Sequence, residues 1–161
     1  MTNLPIAIIL MGSKSDLKHC QEIADNCHKF GVESVLRIAS AHKTAPRLLE
    51  LLSDYEVDPR PKVYITVAGR SNALSGMVDA NVIAPVIACP PSSSSFGGSD
   101  IFSSLRMPSG VAPMVILDTE NAALAAAKIL GQSNTQVLAK VIKYQENHRQ
   151  RLHLADDELK S

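Results

Sequence analysis

Residues 6–11 read Ile-Ala-Ile-Ile-Leu-Met and contain no polar side chain. A strand with one face in water alternates apolar and polar residues, whereas an uninterrupted apolar run must be covered on both faces; parallel sheets sandwiched between helices are where such strands occur. The run stops at Gly12, and residues 16–30 then carry Leu17, Cys20, Ile23, Ala24 and Cys27 at helical spacing. Gly31 ends that helix. An apolar run followed by an amphipathic helix is half of a βαβ unit, and this pairing restricts the chain to an α/β architecture.

The alternation repeats along the chain. Residues 32–39 predict a second strand and 46–55 a second helix with Leu48, Leu49, Leu51 and Leu52 inward. Pro59-Arg60-Pro61 is a turn before a third strand at 62–67 and a short helix at 73–81. A fourth strand at 85–88 precedes the Ser/Gly-rich stretch 92–98, whose place at the sheet edge suits a loop that closes over a ligand. Helical residues 100–106, a fifth strand at 114–117, an alanine-rich helix at 121–130 and a last helix at 135–152 complete the pattern. The expected fold is a single domain, 1–161: a three-layer α/β/α sandwich on a five-stranded parallel sheet in the flavodoxin-like order 2-1-3-4-5, plus a C-terminal helix at about 134–153. The apolar stripe of that helix (Val137, Leu138, Val141, Ile142, with Tyr144 beside it) fits either its own sheet or a neighbouring subunit.

Composition narrows the function. The 161 residues carry 16 basic and 16 acidic side chains, which excludes the positive footprint of a nucleic-acid binder. No apolar stretch approaches the roughly 20 residues needed to cross a bilayer, and the N-terminus lacks the basic region and cleavage site of a secretory signal. Cys20, Cys27 and Cys89 show no metal-ligand spacing and read as buried, reduced thiols of a cytoplasmic protein.

Three strands run directly into polar loops: Gly12-Ser13-Lys14-Ser15-Asp16, Ser40-Ala41-His42-Lys43-Thr44 and Ala68-Gly69-Arg70-Ser71-Asn72. In a parallel sheet these loops share the carboxyl edge, where open α/β folds bind ligands. Gly12, Ser13 and Ser15 open a helix whose amides attract anions, although Ser15 or Asp16 also suits helix capping. The spacing matches neither a P-loop nor a dinucleotide fingerprint. Asp16 repels phosphate but can accept from ribose hydroxyls. His42 is the one histidine expected on a strand-end loop, placed for proton transfer near neutral pH; His19, His28, His148 and His153 fall on helices and read as surface residues. Lys43 and Arg70 offer cations to a carboxylate or phosphate, and Ser71 or Asn72 suits capping of the next helix as well as ligand contact. The stretches 90–98 and 106–110 are candidates to cover the crevice.

Taken together, G-S-x-S-D, S-A-H-K-T, A-G-R-S-N and R-M-P-S-G, in that order from residue 6 to about 130, resemble the phosphoribosylaminoimidazole carboxylase family of purine biosynthesis. Lys43, Arg70, Ser71 and Asn72 resemble its class II, which adds carbon dioxide directly to 5-aminoimidazole ribonucleotide (AIR) to give 4-carboxy-5-aminoimidazole ribonucleotide (CAIR). The alternative is class I, the mutase that rearranges the N5-carboxylated isomer; a non-catalytic flavodoxin-like nucleotide-binding module is a further rival, weakened by the scarcity of aromatic residues. The resemblance implies His42 as the acid–base residue and Gly12, Ser13, Ser15, Asp16, Ser40, Ala41, Lys43, Gly69, Arg70, Ser71 and Asn72 as substrate contacts. It implies no metal, no cofactor, partners limited to the ribonucleotide and carbon dioxide, and a homo-octamer with sites at subunit boundaries.

Overall fold

The computed structural model describes residues 4–91 and 96–160. Five strands, β1 (Ile6–Met11), β2 (Glu33–Ile38), β3 (Lys62–Val67), β4 (Val86–Ala88) and β5 (Met114–Val115), form one sheet in the order β2-β1-β3-β4-β5. Every pairing is parallel. The helices are α1 (Leu17–Lys29), α2 (Ala45–Glu56), α3 (Ala73–Asp79), α4 (Phe102–Leu105), α5 (Thr119–Leu130) and α6 (Thr135–Glu158), with 3-10 turns at Lys14–Asp16 and Ser99–Ile101.

The apolar run of β1 is buried throughout because both of its faces are covered. Its alternate residues serve two cores. Ala7, Ile9 and Met11 join Val63, Ile65 and Val67 against α1, α5 and α6. Ile6, Ile8 and Leu10 join Tyr64 and Val86 against α2 and α3. Each buried Val, Leu, Ile or Met side chain among them contributes about 1.5–3 kcal/mol on leaving water. The edge strand β2 is only half-buried, with Arg37 and Ile38 exposed, which accounts for its weaker apolar run.

Helix α1 ends as its sequence requires. Gly31 has φ 79, its amide donates to the His28 carbonyl and Val32 donates to the Cys27 carbonyl, the paired bonds of a Schellman cap. In α2, Leu48, Leu51 and Leu52 are buried, but Leu49 is 42% exposed, contrary to its expected inward position. A residue one step beyond Leu48 turns about 100° away from the buried stripe at 3.6 residues per turn.

Several boundaries differ from expectation: α3 stops at Asp79, and the expected helix at 100–106 divides into a 3-10 turn and the short α4. The fifth strand contracts to Met114–Val115, although the Ile116 amide still donates to the Ala88 carbonyl. The last helix runs to Glu158. Its first half packs on its own domain: Val137 and Val141 are buried, and the Tyr144 ring meets Phe30 edge-on at 5.2 Å while its hydroxyl donates to Glu120 at 2.8 Å. Farther along, Leu152, Leu154 and Leu159 are exposed.

Candidate active site

The register of the sheet places the three loops at one level. Met11 on β1 lies beside Ile38 on β2 and Val67 on β3. With strands about 4.8 Å apart, the second and third loops stand about 10 Å from one another across the first. Between them lies an open crevice of about 650 Å³, lined by residues of all three loops and by Leu74 and Pro91.

The first loop begins where the Gly12 amide donates to the Val67 carbonyl, extending the β1–β3 ladder by one bond. Ser13 caps the 3-10 turn, accepting from the Ser15 amide at 3.3 Å and from its hydroxyl at 2.9 Å. Capping therefore falls to Ser13; the Asp16 side chain makes no cap bond and stays available to the crevice. Burial raises the Asp16 pKa, and the neighbouring His19 charge and the Ser15 hydrogen bond pull it back.

The second loop is a closed turn. The Thr44 amide donates to the Ser40 carbonyl at 2.9 Å, the Ser40 amide donates to the Thr44 hydroxyl at 2.9 Å, and the Lys43 amide donates to the Ser40 hydroxyl at 3.3 Å. Ser40 and Thr44 thus bracket the turn and present His42 and Lys43, both exposed, on the crevice wall.

The third loop is held from outside. Arg70 is the only non-glycine described residue with positive φ, 61, a conformation costing about 1–2 kcal/mol relative to glycine. Its amide donates to Asp100 Oδ2 at 2.9 Å. The Ser103 hydroxyl accepts from the Asn72 amide at 2.9 Å, and its single proton faces two carbonyls, the nearer being that of Asp100 (2.8 Å) and the farther that of Arg70 (3.3 Å).

Gly12, Ser13, Ser15, Asp16, Ser40, Ala41, His42, Lys43, Gly69, Arg70 and Ser71 all line the crevice. Asn72 does not: it is 3% exposed, its Oδ1 accepts from the Ser75 amide as the α3 cap, and its Nδ2 donates to Ser104. Of the expected covers, Pro91 lines the crevice, while residues 92–95 lie outside the described residues. The 106–110 loop is not among the lining residues; Met107 instead packs on α3, where a Cβ on Gly76 would come within 3.1 Å of its sulfur.

Sequence reading missed two features. His19, expected on the surface, is half-buried, and its Nε2 lies 3.1 Å from the Cys89 carbonyl oxygen and 3.5 Å from the Cys89 sulfur. The Asp100–Ser104 clamp was also missed. Both join residues far apart in sequence, so no local signal reports either of them. All three cysteines are free and buried, and desolvation pushes each thiol up to about 12. Among the described residues, no cluster of three His, Cys, Asp or Glu side chains is arranged to hold a metal, and no helix is long and apolar enough to cross a membrane.

Fold and crevice together define an α/β protein with a polar site at the carboxyl edge of its sheet, equipped with an imidazole, two cations and a carboxyl group. The AIR carboxylase family model matches residues 6–151, and the chain belongs to this family. It is 56% identical over 154 residues to the phosphoribosylaminoimidazole carboxylase of Archaeoglobus fulgidus, covering 96% of this chain and 84% of that one. Identity to the Treponema denticola phosphoribosylaminoimidazole carboxylase is 51% over 156 residues, covering 97% and 98%. The crystal structure of Treponema denticola PurE superposes with a TM-score of 0.95 at 50% identity, covering 98% of this chain and 99% of that one.

Proposed function

We propose that this protein is a purine-biosynthetic AIR carboxylase that works by the class II route, joining carbon dioxide to AIR without ATP. Family membership supports the carboxylase activity. The observation that carries the finer reading is the meeting of His42 and Lys43 with Arg70 and Ser71 across one crevice, in the loop sequences S-A-H-K-T and A-G-R-S-N that resemble class II.

The chemistry follows from the groups present. The aminoimidazole carbon beside the amino group is electron-rich and forms a bond to the carbon of carbon dioxide, whose oxygens take up the negative charge. The adduct holds a proton on a tetrahedral ring carbon. Transfer of that proton to the His42 imidazole leaves the electron pair to restore the aromatic ring, and the same group returns the proton in the reverse direction. Donors help most where charge develops. Lys43, Arg70, Ser71 and the Gly69 amide surround that position in this reading, with Ser40 and Ala41 supporting the ring. Gly12, Ser13 and Ser15 seat the phosphate, and Asp16 accepts from the ribose hydroxyls. Asn72 serves as the support beneath the third loop.

The same reading takes residues 1–161 as one cytoplasmic domain that assembles as a homo-oligomer, an octamer by resemblance. The exposed Leu138, Ile142, Leu152 and Leu154 of α6 support association, and light scattering tests it. The deciding experiment incubates the protein with AIR and labelled bicarbonate in the absence of ATP. Label in CAIR is the expected result. Conversion of the N5-carboxylated isomer alone would overturn the class II assignment in favour of the mutase.

A further inference from the structure

Arginine is an expensive choice at position 70. A turn needing φ 61 is met most cheaply by glycine, and a strained residue persists only where its surroundings over-determine it. The side chain must therefore be wanted, and something must hold its backbone. The structure supplies the holder from 30 residues farther along the chain, in the 3-10 turn Ser99–Ile101 and helix α4. Asp100 takes the Arg70 amide through a charge-assisted hydrogen bond. Ser103 receives the next amide but one, from Asn72, and its oxygen lies 3.3 Å from the Arg70 carbonyl oxygen. Its own proton goes to the nearer Asp100 carbonyl at 2.8 Å, which ties the two clamp residues together. The third loop is thereby held at two amides, those of Arg70 and Asn72. The Asp100 carboxylate bonds the Arg70 amide, and Arg70 is among the residues that line the crevice.

We propose that Asp100 and Ser103 are positioning residues that hold Arg70 in its left-handed conformation and so aim its guanidinium at the carboxylate forming from carbon dioxide. The inference rests on the carboxylate-binding reading of Arg70. Neither clamp residue is required to touch substrate; they set the direction in which Arg70 leaves the backbone. The conformation selects for carbon dioxide use in particular, since the ribonucleotide is also held by the first and second loops.

The test compares Asp100→Ala, Asp100→Asn, Ser103→Ala, Arg70→Ala and the double variant Arg70→Ala/Asp100→Ala by steady-state carboxylation, with AIR and carbon dioxide varied separately. Asp100→Ala is expected to lower kcat/KM for carbon dioxide by about 10–100-fold, the scale of a misaimed charge-assisted contact, while KM for AIR moves less than about 3-fold. Asp100→Asn keeps a side-chain oxygen for the Arg70 amide and recovers most of the loss. In the double variant, removing Asp100 after Arg70 costs no more than about 2-fold, since residues acting through one group are non-additive. Losses that multiply instead would make Asp100 an independent substrate contact and overturn the proposal. Amide hydrogen exchange at residue 70 keeps the two readings apart. It should accelerate by about 10-fold or more in Asp100→Ala and in Ser103→Ala whatever Arg70 does, and unchanged exchange in both variants refutes the clamp. If exchange accelerates but Arg70→Ala leaves carbon dioxide use intact, the clamp stands, while the role given to Arg70, and with it the aiming of the guanidinium, is overturned.

Discussion

Replacing Asn72 by alanine separates a structural residue from a ligand contact. Its side chain makes two buried bonds: Oδ1 accepts from the Ser75 amide at 3.1 Å as the α3 cap, and Nδ2 donates to the Ser104 hydroxyl at 2.9 Å. Loss of an N-cap costs about 1 kcal/mol, and loss of a satisfied buried hydrogen bond costs about as much. The expected destabilisation is about 2 kcal/mol, which for a domain of this size lowers Tm by about 4–8 °C. Asn72→Asp retains an oxygen for the Ser75 amide, and the Ser104 hydroxyl can rotate to donate, so its loss should be smaller. Thermal unfolding followed by circular dichroism, together with urea midpoints at 25 °C, measures both variants. A Tm within about 1 °C of the parent in Asn72→Ala, accompanied by a raised KM for AIR, would refute the structural assignment and return Asn72 to the substrate.

Three further outcomes are expected. His42→Asn should retain AIR binding by calorimetry but lose about 10²–10⁴-fold in kcat, the usual contribution of a general acid–base group; near-parental turnover would remove His42 from proton transfer. His19→Ala should strand the Cys89 carbonyl and, by removing the charge that pulls the Asp16 pKa back, move the acid limb of the pH profile for AIR binding upward; an unmoved limb would deny the coupling. Asp58, hydrogen-bonded by Arg60 at its side chain and amide, is held down to about 2 from 3.8. Its stabilising effect is present above the unfolded value and vanishes as pH falls through about 2. Asp58→Asn should therefore cost about 1 kcal/mol at pH 7 for this half-buried pair, with the gap to the parent closing between about pH 4 and pH 2 in urea titrations.

Element order, the parallel sheet and the loops that carry the chemistry are all legible in the amino-acid sequence. Those signals are local: a six-residue apolar run reports burial on both faces, and helical spacing reports a one-sided stripe. Leu49 and the end of β5 were misread because apolar character alone does not say which face a residue takes or where a ladder stops. Which residues meet is a property of the folded chain. The common level of Met11, Ile38 and Val67 turned three separate loops into one crevice. The bond from His19 to Cys89 spans 70 residues, and the clamp from Asp100 to Arg70 spans 30. Asn72 left the ligand wall for the interior, and the first half of α6 settled on its own domain. Such pairings depend on the path of the backbone through the sheet, and no periodicity within a single segment encodes them.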